Sequence, residues 1–387
     1  MQWKLNKIWP SGGLILITGI AQLHADASNK NSNGCDPMTP AQLSVFRPVV
    51  TAEALFWNAR QEGLVYTLTS KVPVPPPGVD PVLDFAGAWP ADFSWASQHA
   101  KNKTVPFGWD WGFRVGLGGL FQKHGNWDLM LTWTWYRQSE HSSIHQTDEK
   151  IVAAPMLNPL TDSSWATSAR ARWHLHFETL DLELGHALQI SKKFSLRPHG
   201  GLRGAWIHQR LKTHYDNVAV VARAPAVFKE FDNNYKNNFN GAGIRMGIEP
   251  DWSFAKHWKV YGDFSASFLY GQFLYKNSGS SSGLDQDQYD LQVGTNVVTG
   301  PEINVQDHIT STAINFDIGL GLSWDYAFSC NKRHLTLMLG YEYHLWLDQN
   351  QIKTFVGALG GGRPMSFDKS RGDLSLMGLT FGAKVAF

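Results

Sequence analysis

The chain repeatedly alternates apolar and polar residues with a period of two, and this pattern constrains its fold more than any other feature. The clearest run places Phe107, Trp109, Trp111, Phe113, Val115 and Leu117 on one face, with Asp110, Arg114 and glycines on the other. A period of two is that of a β-strand whose two faces meet different surroundings. Ten such stretches are predicted, so we expect an all-β protein. They lie near 48–69, 107–118, 126–135, 172–184, 194–213, 238–254, 258–276, 308–328, 333–348 and 377–387.

The connections between these stretches alternate strictly between short and long. The short ones, 121–125, 191–193, 255–257 and 329–332, contain turn residues. The long ones are about 70–106, 139–165, 214–237, 277–307 and 349–372. Short periplasmic turns and long extracellular loops are typical of outer-membrane barrels. We therefore predict a transmembrane antiparallel up-and-down β-barrel of about ten strands, or twelve or more if further strands lie within 70–106 or 139–165.

The apolar face changes phase within the stretch 172–184. Trp173, Leu175 and Phe177 occupy odd positions, whereas the apolar residues from Leu180 to Leu184 occupy even positions. A slip of one residue inside a strand is what a β-bulge produces. The sequence therefore predicts a bulge between Phe177 and Leu180.

The two ends of the sequence predict export and membrane insertion. Residues 1–25 have the charges and the short apolar core of a cleaved signal peptide. We expect residues 26–47 to form a periplasmic segment and residues 48–387 to form the barrel. In the last stretch Phe381, Val385 and Phe387 alternate with small or polar residues, which resembles the signal read by the barrel-assembly machinery. That machinery is therefore an expected partner during insertion.

The composition agrees with a barrel that has one lipid face and one watery face. A mean hydropathy of -0.26 accompanies 17 Trp and 36 Gly. The expected partners are outer-membrane lipid and lipopolysaccharide, and a homo-oligomer is left open. The formal net charge of +1 does not suggest a nucleic-acid partner, which would require a strongly basic face. Aromatic girdles at the two membrane interfaces are predicted from Trp127, Trp135, Trp206, Trp258 and Trp346.

Two cysteines, Cys35 and Cys330, are the only ones in the sequence. An even pair in an oxidising periplasm is a candidate disulfide. Such a bridge would tie the periplasmic N-terminal segment to a predicted periplasmic turn. The alternative is a pair of free thiols, because sequence alone does not supply the geometry.

The polar face of the predicted strands carries opposed charges that are expected to line the barrel lumen. The candidates are Asp110, Arg114, Asp128, Arg170, Arg172, Arg197, Arg203, Arg245, Glu249, Asp263, Asp317, Glu342 and Lys384. Opposed charges in a pore determine which ions pass. The same residues would also suit a salt-bridged plug that fills the lumen of a small barrel.

The chain resembles the pore-forming major-outer-membrane-protein family of Legionella and chlamydia-related bacteria. The residues that carry the resemblance are 52–57 (AEALFW), 180–185 (LDLELG), 195–207 (SLRPHGGLRGAWI) and the aromatic C-terminus. It extends from about residue 48 to the end. The resemblance implies a porin in the outer membrane of a Gram-negative bacterium that allows passive diffusion of small hydrophilic solutes or ions. It implies no catalytic residues and no cofactor, so we do not expect an enzyme.

Other functions also fit the sequence. His174 and His176 share one face of a strand and would bind a metal with Glu178 or Asp181 as third ligand. A hydrolase would use His141 and His145 at the outer rim, near the acidic residues 148–149. A plugged barrel would act in adhesion or surface recognition through its five long loops. These alternatives share one fold, so the fold alone does not choose among them.

Overall fold

The computed structural model describes residues 46–70, 101–121, 126–145, 151–153, 164–220, 226–284, 303–328, 333–356, 366–369 and 372–387. All of them belong to one compact unit, Pro40–Phe387. Within these ranges, no helix has the length and apolarity needed to cross a membrane. The predicted signal peptide, most of the segment 26–47 and both cysteines lie outside the described residues.

Ten long strands form the body of the molecule. They are β1 (Arg47–Gln61), β2 (Asp110–Phe121), β3 (Trp127–His145), β4 (Ser168–His186), β5 (Phe194–Val220), β6 (Ala226–Ser253), β7 (Trp258–Leu284), β8 (Ile303–Phe328), β9 (Arg333–Trp346) and β10 (Leu374–Ala386). Each pairs antiparallel with the next along the chain, and β10 pairs with β1. Closure leaves these strands no free edge. The predicted barrel of about ten strands is confirmed.

Short strands lie in the connections between the ten long strands. They are Val65–Ser70, Lys101–Thr104, Ile151–Ala153, Ser164–Ala166, Leu188–Gln189, Lys353–Val356 and Ser366–Lys369. The predicted N-terminal strand near 48–69 is therefore two strands. A turn at 62–64 separates them, and Gly63 adopts a φ of 77° there, a conformation that favours glycine.

The predicted turns are found where the structure describes them. Residues 191–193 and 255–257 form tight turns, and the other two turns lie largely or wholly outside the described residues. We call the end of the barrel with these turns the short-turn end, and the opposite end the loop end. The prediction of a long loop at 214–237 is wrong, because β5 continues to Val220 and β6 begins at Ala226.

The strands extend toward the loop end because their polarity inverts there. Near the loop end of β5 and β6, Tyr215, Phe231 and Tyr235 are buried inside the barrel. His214 and Asp232 lie on its outer face. The side-chain period remains two, but the apolar row now faces inward. A search for outward apolar residues therefore mistakes this part of a strand for a loop.

The same inversion replaces the predicted β-bulge. The pairing of β4 with β3 and β5 runs without a register shift through residues 168–185. Trp173 is 0% exposed and faces inward, whereas Leu182 is 40% exposed and faces outward. The predicted bulge is wrong, since the surroundings of the strand change while its geometry does not.

A belt of exposed apolar residues encircles the barrel on the outside. We call it the apolar belt, and it comprises Trp111, Val115, Leu117, Leu129, Leu131, Trp133, Leu180, Leu182, Leu184, Leu202, Ile244, Met246, Ile248, Phe264, Phe268, Phe316, Ile318, Leu320, Leu322, Leu337, Leu339, Leu379 and Phe381. Among the predicted girdle residues, Trp127, Trp206 and Trp258 are exposed in this way. The prediction for Trp346 is wrong, because its ring is buried inside the barrel.

The interior of the barrel has two parts. Toward the loop end it is an apolar core of Leu55, Trp57, Tyr136, Trp173, Leu175, Phe177, Ile207, Leu211, Tyr215, Phe231, Tyr235, Phe239, Leu269, Phe273, Tyr275, Trp346, Leu374 and Leu376. Residues 349–352 of the connection after β9 are buried at this end as well. Toward the short-turn end the inward residues are charged, and this charged part is the candidate site.

Candidate functional site

Charged side chains gather inside the barrel around a cavity of about 200 Å³. Ten of the thirteen predicted lumen residues face this interior: Arg114, Asp128, Arg197, Arg203, Arg245, Glu249, Asp263, Asp317, Glu342 and Lys384. They come from eight strands. They meet in one place because the inward side chains of every barrel strand point toward the same axis. The alternation of each strand thus assembles one site from residues far apart in sequence.

Arg203 is the centre of the charge network. Its Nε and Nη2 donate to the two oxygens of Asp181 on the adjacent strand, at 2.6 and 2.9 Å. Its Nη1 donates to Asp317 at 2.7 Å. Because β5 and β8 are not neighbours, this second ion pair crosses the lumen. The side chains of Asp181 and Asp317 are only 4% and 2% exposed, so their charges depend on Arg203 for compensation.

Arg245 differs from Arg203 in having several partners at once. It lies 2.7 Å from Glu183, 3.1 Å from Asp181, and 3.6 Å from both Asp263 and Asp317. Its guanidinium group also donates to Ser265 at 2.8 Å. A cation surrounded by four carboxylates can exchange one partner for another without leaving a buried charge unpaired. Arg245 is therefore the member of the network best placed to move.

Arg114 and His344 extend the network around the barrel. Arg114 pairs with Glu53 at 2.7 Å and with Glu342 at 2.8 Å. His344 lies between Glu342, 3.1 Å from Nε2, and Asp317, 2.8 Å from Nδ1. His344 thus connects the Arg114 ion pairs to the Arg203 ion pairs. Below them, Arg197 bridges Asp128, 2.9 Å from its Nε, and Glu249.

Glu53 and His344 belong to the network although no sequence pattern singled them out. Glu53 belongs to a sequence block that otherwise reads as apolar, and His344 stands among tyrosines and leucines. Strand alternation places both on the inward face, because His344 is two residues after Glu342 on the same strand and Glu53 is the direct cross-strand partner of Arg114. Sequence alone does not show that closure of the barrel brings side chains of β1, β2 and β9 close enough to form ion pairs.

Carboxylate side chains outnumber lysine and arginine side chains around the cavity. Seven carboxylates line it: Glu53, Asp128, Asp181, Glu183, Glu249, Asp263 and Asp317. Five lysine or arginine side chains line it: Arg114, Arg197, Arg203, Arg245 and Lys384. A lumen with such an excess of carboxylates attracts cations and repels anions.

Three aromatic residues of the apolar core border the cavity, and we call them the aromatic layer. Trp57, Phe177 and Trp346 line the cavity, and Trp57 and Trp346 are 0% and 1% exposed. The rings of Phe177 and Trp346 meet edge to face with centroids 5.8 Å apart. Trp57 packs on Tyr136 and His344, with Arg114 over its ring at 5.6 Å. In this conformation the layer is closed.

Three predicted lumen residues lie elsewhere. Arg170 and Arg172 alternate with buried Ala171 and Trp173, so they lie on the outer face of β4, and the prediction that they line the lumen is wrong. The physical reason is again the inversion of polarity toward the loop end. Asp110 lies at the start of β2 beside a groove lined by Arg137 and His174.

Arg170 belongs to an ion cluster on the outer face, well beyond the apolar belt. It pairs with Asp216 at 3.0 Å. His214 bridges Asp216 and Asp232, each 2.8 Å from one ring nitrogen. Burial lowers the pKa of His214, but the hydrogen bonds with both carboxylates outweigh it, and the pKa is raised. Burial raises the pKa of Asp216, but hydrogen bonds from Ser168 and His214 outweigh it, and the pKa is lowered.

The His214 cluster predicts a pH-dependent stability of the β5–β6 hairpin tip. A histidine whose pKa is raised on folding stabilises the folded state fully at pH values below its ordinary pKa of about 6.5. This stabilisation is lost as the pH rises through the pKa of the folded state. An aspartate whose pKa is lowered on folding stabilises the folded state fully at pH values above its ordinary pKa of about 3.9. This stabilisation is lost as the pH falls through the pKa of the folded state. We expect the tip to be most protected between these values. Hydrogen exchange, corrected for intrinsic rates, should show lower protection of residues 208–218 at pH 8.5 than at pH 6. The variant His214→Gln should remove the difference, and equal protection of the wild type at both values would contradict the assignment.

The proposed metal ligands do not converge as the sequence suggested. His174 and His176 share the outer face of β4, whereas Asp181 faces inward, so Asp181 cannot complete their site. Glu178 lies 2.7 Å from His176. Among the described residues, Glu183, His199 and Glu249 form another group that could hold a metal ion. An ion there would compete with Arg245 and Arg197, which already bind the two carboxylates.

The candidate hydrolase residues occupy an outer surface. His141 and His145 lie on the exposed face of β3, and residues 148–149 lie outside the described residues. No described carboxylate is within ion-pair distance of either histidine. The described residues therefore bring no carboxylate to either histidine, and the hydrolase reading stays a prediction.

The chain is similar in sequence to one known protein family. The sequence model of the family described as Legionella pneumophila major outer membrane protein precursor matches residues 40–387. No curated protein matches the chain in sequence at a significant level.

Three solved barrels are among the similar structures. The outer membrane protease OmpT of Escherichia coli has 10% identity and a TM-score of 0.29, covering 88% of this chain and 96% of that one. A FadL homologue of Pseudomonas aeruginosa has 5% identity and a TM-score of 0.23, covering 89% and 90%. A deletion mutant of the monoaromatic hydrocarbon channel TodX has 9% identity and a TM-score of 0.22, covering 88% and 90%. Likeness at this level carries no argument about function.

Proposed function

The chain belongs to the Legionella major outer membrane protein family, a β-barrel of the Gram-negative outer membrane, and we propose that it is a narrow, cation-preferring pore. The observation that carries this proposal is the carboxylate-rich cavity inside the barrel. The apolar belt faces lipid, the short-turn end faces the periplasm and the loop end faces the cell exterior. The passage that the pore would use runs from the periplasmic mouth to the aromatic layer of Trp57, Phe177 and Trp346.

Ten strands enclose a lumen that side chains can largely fill, which sets the size of any solute. Large porins use sixteen or more strands. Ions and the smallest hydrophilic solutes are therefore the substrates that this barrel suits. Conduction requires the aromatic layer and the apolar core beyond it to rearrange, and exchange of carboxylate partners by Arg245 supplies a movable element next to the layer.

The excess of carboxylates predicts selectivity for potassium over chloride. A reversal-potential measurement in planar bilayers under a KCl gradient should have the sign of cation preference. Asp263→Asn should weaken this preference, because Asp263 makes only a 3.6 Å contact with Arg245 and its removal breaks no closer pair. Lys384→Gln is the matched control of opposite charge, and it should strengthen the preference. Anion preference in the wild type, or shifts in the same direction for both variants, would contradict the proposal.

A closed barrel that acts through its outer surface is the second candidate. The observation that favours it is the apolar core, in which Trp173, Tyr215 and Phe239 have exposures of 0–1%. Such a core stabilises a barrel without any passage. Ion flux distinguishes the two candidates, because a permanently closed barrel conducts no ions even when it is fully folded.

A further inference from the structure

The outer face of strands β3 to β7 carries a band of positive charge directly beyond the apolar belt. Three successive rows of cross-strand partners cross these strands. The rows are Arg137–His176–His208–Asn238–Leu274, Ser139–His174–Arg210–Lys236–Lys276 and His141–Arg172–Lys212–Asn234–Ser278. We call these fifteen residues the cationic band. It contains six lysine or arginine residues, four histidines and no carboxylate.

The band is placed at a membrane interface. The row below it, on the side of the apolar belt, contains Trp135 and Trp206, which flank Glu178. Tryptophans in this position lie at the level of lipid headgroups. Because the band lies on the loop-end side of these tryptophans, it faces the headgroups of the outer leaflet.

Like charges face each other within the band. Arg172 is the direct partner of Lys212, and Lys236 is the direct partner of both Arg210 and Lys276. Like charges directly opposite on neighbouring strands destabilise a sheet. None of these five side chains forms an ion pair with a carboxylate of the described residues. Anions bound between the strands would remove this repulsion.

The surface of the band is concave. A groove of about 580 Å³ is lined by Arg137, His174, His208, Arg210 and Lys236, and by one carboxylate, Asp110. A second groove of about 470 Å³ is lined by His141, Arg172 and Lys212, and also by His214 and the carboxylates of Glu230 and Asp232.

Nearby groups hold the cations in place and concentrate their charge. The guanidinium group of Arg137 lies over the ring of Trp135 at 5.1 Å. Arg210 donates to Asn234 at 2.6 Å. Burial, together with the charges of Arg172, Arg210 and Lys212, lowers the pKa of His174.

We propose that the cationic band is a binding site for the phosphate groups of a phosphorylated glycolipid, the lipopolysaccharide of the outer leaflet. Charge complementarity and depth in the membrane both support this ligand. Arginine and lysine side chains bind phosphate oxygens through charge-assisted hydrogen bonds, and the fork of Arg137, Arg172 or Arg210 suits a bidentate contact. The acyl chains of the same lipid would lie on the apolar belt below. This site does not depend on conduction through the lumen.

The test measures binding of bisphosphorylated lipid A to the detergent-solubilised full-length protein, for example by native mass spectrometry. The triple variant Arg137→Gln, Arg172→Gln, Lys212→Gln should bind roughly a hundredfold more weakly, about fivefold for each cation removed. These side chains are exposed, so folding should persist, and heat-dependent gel mobility verifies it. The matched control removes three exposed cations at the short-turn end, with Lys192→Gln, Lys193→Gln and Lys256→Gln.

We expect the control variant to bind lipid A as the wild type does, and dephosphorylated lipid A to bind the wild type as weakly as lipid A binds the triple variant. Inorganic phosphate at equal concentration should not compete. Wild-type affinity of the triple variant would overturn the proposal, as would an equal loss in the control variant. Full competition by inorganic phosphate would overturn the lipid assignment and leave a site for free anions.

Discussion

Replacing Arg203 with methionine is expected to destabilise the folded barrel by about 3–5 kcal/mol, because the change leaves a buried ion cluster without its central cation. Asp181 loses two hydrogen bonds and Asp317 loses one. Both carboxylates remain almost fully buried, where an unpaired charge is costly. Arg245 remains 3.1 Å from Asp181 and His344 remains 2.8 Å from Asp317, but the cluster has one positive charge fewer for the same carboxylates. Equilibrium unfolding in urea, followed by tryptophan fluorescence in lipid vesicles, measures the free energy of unfolding.

The matched control for this variant is Arg170→Gln. Arg170 also pairs with an aspartate, but its side chain is 54% exposed on the outer surface. Exposed ion pairs contribute about 0–1 kcal/mol, so the control should unfold almost as the wild type does. The double variant Arg203→Met, Asp317→Asn should recover part of the loss, because it removes one of the two buried carboxylates that Arg203 compensates. A loss for Arg203→Met no larger than that of the control would contradict the network described here.

Replacing Trp57 with alanine is expected to raise the ion conductance of the barrel several-fold. Trp57 belongs to the aromatic layer, and its ring borders the charged cavity. Its removal leaves a void next to Arg114 and His344, which border the ring on the cavity side. Water and small cations would enter this void more readily than the closed layer. Planar-bilayer recordings of single channels measure the change.

Large-to-small changes in a core also cost about 3–5 kcal/mol, so the folding of Trp57→Ala needs its own check. If Trp57→Ala does not assemble, Trp57→Leu leaves a smaller void and should raise conductance to a lesser extent. Trp206→Ala is the control, since Trp206 is 39% exposed on the outer face. It should conduct as the wild type does. Equal conductance of folded Trp57 variants and the wild type would show that the aromatic layer does not limit ion passage.

The barrel was predictable from sequence where lipid surrounds it. In that zone the outward face is apolar and the inward face is polar, so the residues from Leu335 to Leu345 alternate plainly. The same alternation placed Arg114, Arg203 and Asp317 inside the barrel before their partners were known. Strand number and topology follow from this pattern, because each strand must span the same membrane thickness.

The part beyond the membrane was not predictable by the same rule. There the outer face meets water and the inner face packs on itself, so Tyr215 and Phe231 take inward positions while His214 faces out. The residues of β4 pass through both zones in one uninterrupted strand. If every apolar residue is assigned to the outer face, Arg170 and Arg172 are wrongly predicted to line the lumen. The same assignment wrongly predicts a β-bulge where only the surroundings of the strand change.

The pairing of charges across the lumen also lies beyond sequence patterns. Arg203 and Asp317 are 114 positions apart, and their contact depends on the closure of ten strands and on the register of each. Alternation places a residue on the inner face but does not set its height along the barrel axis. Which carboxylate pairs with which arginine becomes known only from the pairing of every intervening strand.

Flux of potassium and of neutral sugars through the same proteoliposomes tests the central claim most directly. Swelling in isosmotic potassium acetate with a protonophore, which lets acetate enter as acetic acid and balances the charge of the potassium, should be compared with swelling in isosmotic sugars of graded size. The folding of the protein is verified by heat-dependent gel mobility. A narrow, cation-preferring pore should give swelling in the potassium salt and none in glucose or larger sugars. Swelling in sugars that declines gradually with their size would contradict the narrow lumen. The absence of any potassium flux would contradict the pore and favour a closed barrel that acts through its outer surface.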